Sequence, residues 1–304
     1  MYIQIDRSQR DTLQYHSIAW SKMGSHAQGL NGPDSDIDIL YLYIDPNYGK
    51  TLYWESNGWQ YKAPGVDENY QDIRHYVKNL IIGDSPADFE ALIHGFELIP
   101  SLNLIIDKYD LFRLLNVLTE NVRSYALIKS YLGYAKKDLT KLDTMLDTGV
   151  QDDSVSLMKT LSHIYRGHRI ALFMLSADYN ALDMPFTQNS THSNLIRARA
   201  LKFIPGTAGN INDFYLYESK LNVKLRADAY ELLSAVSTTQ KLHRRMSTFK
   251  LQLIDGLLTE FLKSVKPKRL SKKQKEEIEH VMDNSTMSQL QYKAIENGLT
   301  FQYK

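Results

Sequence analysis

Two aspartates stand two residues apart at the head of an apolar run, Asp36-Ile37-Asp38 followed by Ile39 to Ile44. Side chains alternate faces along a strand, so residues at i and i+2 project from the same side. Two carboxylates held that way repel each other until a cation lies between them. Mg²⁺ takes a few carboxylate oxygens together with phosphate oxygens and water. Upstream, Gly24-Ser25 directly follows the apolar segment Ile18 to Met23. A Gly-Ser turn offers backbone N–H groups and a hydroxyl to a phosphate, and glycine puts no side chain in the way. One half of this constellation suits a triphosphate and the other its metal ions. Asp34 lies two residues before Asp36, which makes Asp34/Asp36 a rival pair. Asp36/Asp38 is preferred because Asp38 lies inside the apolar run, where an unpaired carboxylate is costly.

The elements that must position these groups read as follows. Residues 7–16 form a short helix, Ile18 to Met23 a strand, and Asn31 to Ser35 a stretch dense in turn formers. Ile37 to Ile44 is a strand buried on at least one face, ended by Asp45-Pro46-Asn47. Residues 46–68 read as an irregular excursion broken by Gly58, Pro64 and Gly65. Gln71 to Arg74 reads as a short strand and His75 to Ile82 as a helix stopped by Gly83. Ser85-Pro86 supplies an N-cap and a first-turn proline, with Asp88 and Glu90 placed where the helix dipole favours carboxylates. After about residue 100, apolar residues recur at three- and four-residue spacings through 109–146, 154–176 and 224–264, which is helical patterning. Residues 178–222, with Pro185, Pro205, Gly206 and Gly209, read as loops and short helices. The expected fold class is α+β. A small mixed-sheet domain with flanking helices over residues 1–100 would precede a mostly helical domain over 101–304, open to nucleic acid or substrate.

An apolar residue, Gly-Ser, about ten residues and then Asp-x-Asp before a strand resembles the signature of DNA polymerase beta superfamily nucleotidyltransferases. The fuller string GSHAQGLNGPDSDIDIL is similar to the branch associated with RNA repair in bacteria and phages. It shares that branch's Gly-Ser-x-Ala-x-Gly turn and Pro-x-Ser-Asp-Ile-Asp approach, and departs from it at Gln28, a position often aromatic there. The specific likeness covers about residues 20–45. The resemblance implies transfer of a nucleoside monophosphate from an NTP to a hydroxyl acceptor, RNA by preference. Mg²⁺ or Mn²⁺ would be held at Asp36 and Asp38, with Gly24 and Ser25 at the nucleotide. Such proteins carry a third carboxylate on a neighbouring strand, and Asp72, in Gln71-Asp72-Ile73-Arg74, is the first choice. Asp67 and Glu68 are alternatives and Glu90 a more distant one. Arg74 is a candidate for the triphosphate.

Further candidates come from spacing and charge. Lys159, His163 and Arg166 fall at i, i+4 and i+7 on one helix face, able to meet nucleotide phosphates or base or simply to face solvent. Lys263 to Lys275 holds seven basic residues in thirteen. Of these, Lys266, Lys268, Arg269, Lys272 and Lys273 are candidates for a nucleic-acid backbone, with a solvated linker as the alternative. The first hundred residues carry 7 Lys+Arg against 14 Asp+Glu, and the remainder 29 against 21. That asymmetry is what an acidic metal site joined to a polyanion-binding region would show. The chain has no cysteine, which excludes disulfides, cysteine nucleophiles and thiolate zinc sites. The histidines show no zinc-protease spacing, and no Walker loop or nucleophile elbow is present. No apolar run is long enough for a membrane span. A polar N-terminus without an apolar leader gives the expectation of a cytoplasmic protein, of a bacterial or phage-infected cell by the resemblance.

Overall fold

The computed structural model describes residues 2–27, 35–45, 58–83, 85–99, 104–122, 125–147, 248–267 and 271–272, with eight further residues between 160 and 174. Its centre is a six-stranded mixed sheet flanked by helices, as the α+β class requires. The strands are β1 (Tyr2–Gln4), β2 (Ser17–Met23), β3 (Ile37–Tyr43), β4 (Gly58–Ala63), β5 (Val66–Asp72) and β6 (Glu97–Leu98). They lie in the order β1-β4-β5-β3-β2-β6. β1 runs parallel to β4 and β5 parallel to β3, and the other neighbours are antiparallel.

The excursion expected over 46–68 is instead partly sheet. Pro64 and Gly65 are the two-residue turn of the β4–β5 hairpin, in which Ala63 pairs with Val66 and Gly65 has φ +77°. Proline at the first and glycine at the second central position suit a type II turn. The strand expected over Gln71 to Arg74 stops at Asp72, and Arg74 already lies in the helix α3 (Ile73–Ile82). The helix end is as expected: Gly83 at φ 71° caps it, and its N–H donates to the Asn79 carbonyl.

Each face of the sheet has its own cover. The helix α1 (Arg7–Tyr15) begins with a capping box, in which Asp6 accepts from the Gln9 N–H and the Gln9 side chain accepts from the Asp6 N–H. It crosses one face and buries Arg10 and Gln14 rather than an apolar stripe. Beneath it, Tyr41 and Tyr70, paired across β3 and β5, stack at 4.9 Å between ring centroids. Arg10 grips Glu68 there through two hydrogen bonds of 2.6 and 2.7 Å, and Tyr70 Oη donates to the same carboxylate. The opposite face presents Leu40, Leu42 and Ile44 to the main core, which also takes Tyr76, Val77 and Leu80 of α3.

The helix α4 (Pro86–His94) joins that face. Ser85 caps it, accepting from the Asp88 N–H. Asp88 is fully buried and accepts from Gln71 Nε2 at 2.6 Å and Asn79 Nδ2 at 3.1 Å, so one carboxylate ties β5, α3 and α4 together. Burial raises its carboxyl to about 6, against the pull of those donors. The same core continues without a break into α5 (Lys108–Asn121), α6 (Tyr125–Asp147) and α7 (Thr248–Ser264), through Leu114, Leu118, Tyr131, Ile254 and Phe261. A two-stranded sheet of β7 (Leu104–Ile105) and β8 (Lys266–Pro267) pins the end of α7 to the start of α5. No helix among the described residues is long and apolar enough to cross a membrane. The loops expected over 178–222 lie outside the described residues.

Candidate functional site

β2 runs into Gly24, whose φ of +59° turns the chain into α2 (Gly24–Ala27). Met23 pairs with Asp38 in the antiparallel register, so the turn lies beside that carboxylate. A Cβ built on Gly24 would fall 2.1 Å from Asp38 Oδ2 and 3.0 Å from Asp38 Cγ. The carboxylate therefore occupies the space that any other side chain at 24 would need. The backbone there also favours glycine, because other L-residues pay about 1–2 kcal/mol in the left-handed region. His26 Nε2 lies 3.1 Å from the Ser35 carbonyl oxygen, which ties the turn to the approach of β3. Gln28 to Asp34, the middle of the motif, lie outside the described residues.

On the other side of β3, Asp38 stands in parallel register with Asp67 of β5, and Asp67 with Lys62 of β4. Registered residues share a face, so Lys62, Asp67, Asp38 and Met23 form one row across four strands about 4.8 Å apart. Lys62 Nζ lies 3.1 Å from Asp67 Oδ2. Asp36 is exposed, just outside the start of β3, where the Ile37 N–H donates to the Gly65 carbonyl. Ser25 is half-buried in α2.

Asp72 is not at this row. It pairs with Tyr43, five residues further along β3 than Asp38, a separation of about 16 Å at ~3.3 Å per residue. An odd count also turns it to the other face of the sheet. Its carboxylate is 1% exposed and already occupied: it accepts from the Arg74 N–H, caps α3, and meets Arg74 Nε at 2.7 Å and Nη2 at 3.0 Å. Arg74 is buried in this fork, so the structure does not present it to a triphosphate at the Asp38 row. In sequence, two neighbouring residues looked like parts of one strand. In the structure, one ends the strand and the other folds back on it. The carboxylate that neighbours Asp38 is Asp67, the first of the alternatives.

Glu90, expected at the helix dipole, lies past the first turn of α4, where Asp88 is the acidic residue. Glu90 is 4% exposed and accepts from Tyr131 Oη at 3.3 Å, with Arg166 Nη2 at 3.5 Å. Arg166 is held there by a close crossing: a Cβ on Gly167 would lie 3.1 Å from the Tyr131 carbonyl oxygen of α6. Arg166 Nε is buried with no acceptor among the described residues. His163 Nδ1 lies 3.7 Å from Asp138 Oδ2 on α6, and burial raises the Asp138 carboxyl. Arg166 and His163 thus face α4 and α6. Lys159 lies outside the described residues. Of the basic cluster, Lys266 and Lys272 are exposed, and Lys268, Arg269 and Lys273 lie outside the described residues.

The donors at the row are hard carboxylate oxygens, the kind Mg²⁺ and Mn²⁺ accept. The Gly24 cradle, filled by Asp38, fits a site where a carboxylate and a phosphate-binding turn share one ligand. The three acids have not converged: among the described residues, no group of three or more Asp, Glu or His stands close enough to hold a metal ion.

No family model and no curated protein matches the chain. Among solved structures, the chain is similar to a nucleotidyltransferase-like protein from Exiguobacterium sibiricum, 10% identical over 81% of this chain and 83% of that one, with a TM-score of 0.27. A superposition that loose leaves the functional reading to rest on the Gly24–Asp38–Asp67 geometry itself.

Proposed function

We propose that this protein is a metal-dependent nucleotidyltransferase of the DNA polymerase beta superfamily, moving a nucleoside monophosphate from an NTP to a hydroxyl acceptor, RNA by preference. The observation that carries the reading is the contact between the Gly24 turn and the Asp38 carboxylate, with Asp67 in register beside it. Asp38, Asp67 and Asp36 would hold Mg²⁺ or Mn²⁺, which neutralises phosphate charge when bound. The chain's own part is positioning. With no side chain at Gly24, the Asp38 carboxylate stands directly against the turn, and the Ser25 hydroxyl and the backbone N–H groups of the turn would meet phosphate oxygens. Lys62 holds Asp67 in the row through their ion pair. In the transfer, the acceptor oxygen bonds to the α-phosphorus. The bond from α-phosphorus to the bridging oxygen breaks, its electron pair leaves with pyrophosphate, and the hydroxyl proton passes to solvent.

A second reading is a silent relative that binds nucleotide or RNA without transfer. It is favoured by the Lys62–Asp67 ion pair and by the absence of a converged acidic triad among the described residues. Incubation with Mg²⁺, each labelled NTP and total RNA, and the same with Asp38→Asn, decides between them. Label transfer abolished by the substitution supports the enzyme. Nucleotide binding with no transfer to RNA, protein or small hydroxyl acceptors supports the silent relative.

A further inference from the structure

A cleft of about 340 Å³ opens beside the Gly24 turn, on the side of β2 away from β3. It exists because β6 is short. β6 pairs only with Ala19 and Trp20, so Ser21 to Met23 run on past their neighbour. The C-terminal end of α4 and the turn at Gly95 close the far side, and Gly95 needs its φ of +89° to make that turn.

The lining is chemically uneven in a useful way. Trp20 and Phe96 are both half-buried, and each is braced from behind. Trp20 packs on the tyrosine-rich cluster, and Phe96 meets Tyr76 edge-on at 5.5 Å. Between them stand the exposed Lys22 and the imidazoles of His26 and His94. Burial, and then the charge of Arg166, lower the His94 pKa and favour the neutral imidazole. Among the described residues, Glu97 is the one carboxylate in the lining. Braced rings offer flat surfaces to a planar base, and stacking on such rings is tolerant of base identity. Lys22 balances Glu97 in charge, and the two imidazoles add ring nitrogens able to hydrogen-bond a phosphate.

We propose that this cleft seats a nucleotide unit, a planar base carrying a phosphate, and that this unit is the acceptor end served by the Asp38 row. His26 belongs to both places, since it lies in the turn and lines the cleft. The acceptor role rests on the nucleotidyl-transfer reading; the binding does not. Two sources share this chemistry, a free mononucleotide and the end of a single strand.

The chain has three tryptophans, Trp20, Trp54 and Trp59. In the full-length Trp54→Phe, Trp59→Phe protein, Trp20 alone reports. AMP, a pentanucleotide and inorganic phosphate are titrated against its fluorescence. Saturable quenching by AMP or the pentanucleotide is expected, weakened at least tenfold by Lys22→Glu. Tighter binding of the pentanucleotide identifies a strand end, and equal binding identifies a free nucleotide. No saturable quenching at millimolar ligand, or quenching indifferent to Lys22→Glu, overturns the proposal. If the double substitution prevents folding, calorimetry on the otherwise unaltered chain, with and without Lys22→Glu, gives the same decision. Quenching without any label transfer would retain the cleft and remove the transferase reading.

Discussion

Replacing Gly24 with alanine puts a number on the contact at the centre of the site. Two costs are expected. The backbone at φ +59° costs an alanine about 1 kcal/mol relative to glycine. The new methyl also falls 2.1 Å from Asp38 Oδ2, so the carboxylate must leave its rotamer, at about 1 kcal/mol. The sum is about 2 kcal/mol, a measurable fraction of a stability of the order of 5–15 kcal/mol. Urea unfolding of the wild type, Gly24→Ala, Asp38→Ala and the double variant forms a cycle. With Asp38 truncated the collision disappears and only the backbone cost remains, so the cycle should close with a coupling of about 1 kcal/mol. A Gly24→Ala penalty equal in both backgrounds would refute the reasoning, because the carboxylate would then not occupy that space.

Three further outcomes are expected. Asp88 has a folded value of about 6, above its unfolded one, so its neutral form stabilises the fold. That contribution is complete below about pH 4 and is lost as pH rises through 6, amounting to about 3 kcal/mol. The stability difference between wild type and Asp88→Asn should therefore change by that order between pH 4 and pH 7 in chemical denaturation, with the wild type losing ground as pH rises. Glu68→Gln removes the carboxylate that holds the Arg10 guanidinium by two short bonds and leaves it only Asp11, at 3.1 Å from Nη1, and should cost about 3 kcal/mol. The paired Arg10→Met, Glu68→Leu variant should cost less, as read from urea midpoints. Asp72→Asn keeps a capping side chain on α3 but removes the carboxylate that the buried Arg74 guanidinium meets at 2.7 and 3.0 Å, and should lower stability by about 3 kcal/mol, while the folded variant keeps whatever transfer activity the wild type shows.

Much of this architecture is legible from local chemistry. Ser85-Pro86 and Gly83 mark helix ends because caps act within a few residues. Asp36 and Asp38 read correctly as the mouth of β3 because an apolar run with a polar head has few alternatives. The β4–β5 hairpin was hidden: Pro64-Gly65 looks like a breaker unless the pairing of Ala63 with Val66 is known, and pairing is a non-local fact. The same ignorance made Asp72 attractive. Its sequence neighbourhood suits a strand, but only register shows that Asp67 lies opposite Asp38 and that Asp72 lies five residues away on the other face. Arg166 was legible as a basic helix residue. That it would meet the buried Glu90 depends on Gly167 letting two helices approach closely.

The most direct test is Mn²⁺ binding in the presence of a non-hydrolysable NTP analogue, followed by electron paramagnetic resonance. The wild type should bind the ion, Asp38→Asn and Asp67→Asn should each weaken it by an order of magnitude or more, and Asp72→Asn should bind as the wild type does. Undiminished binding in Asp38→Asn and Asp67→Asn would contradict the assignment of the metal to the row beside Gly24.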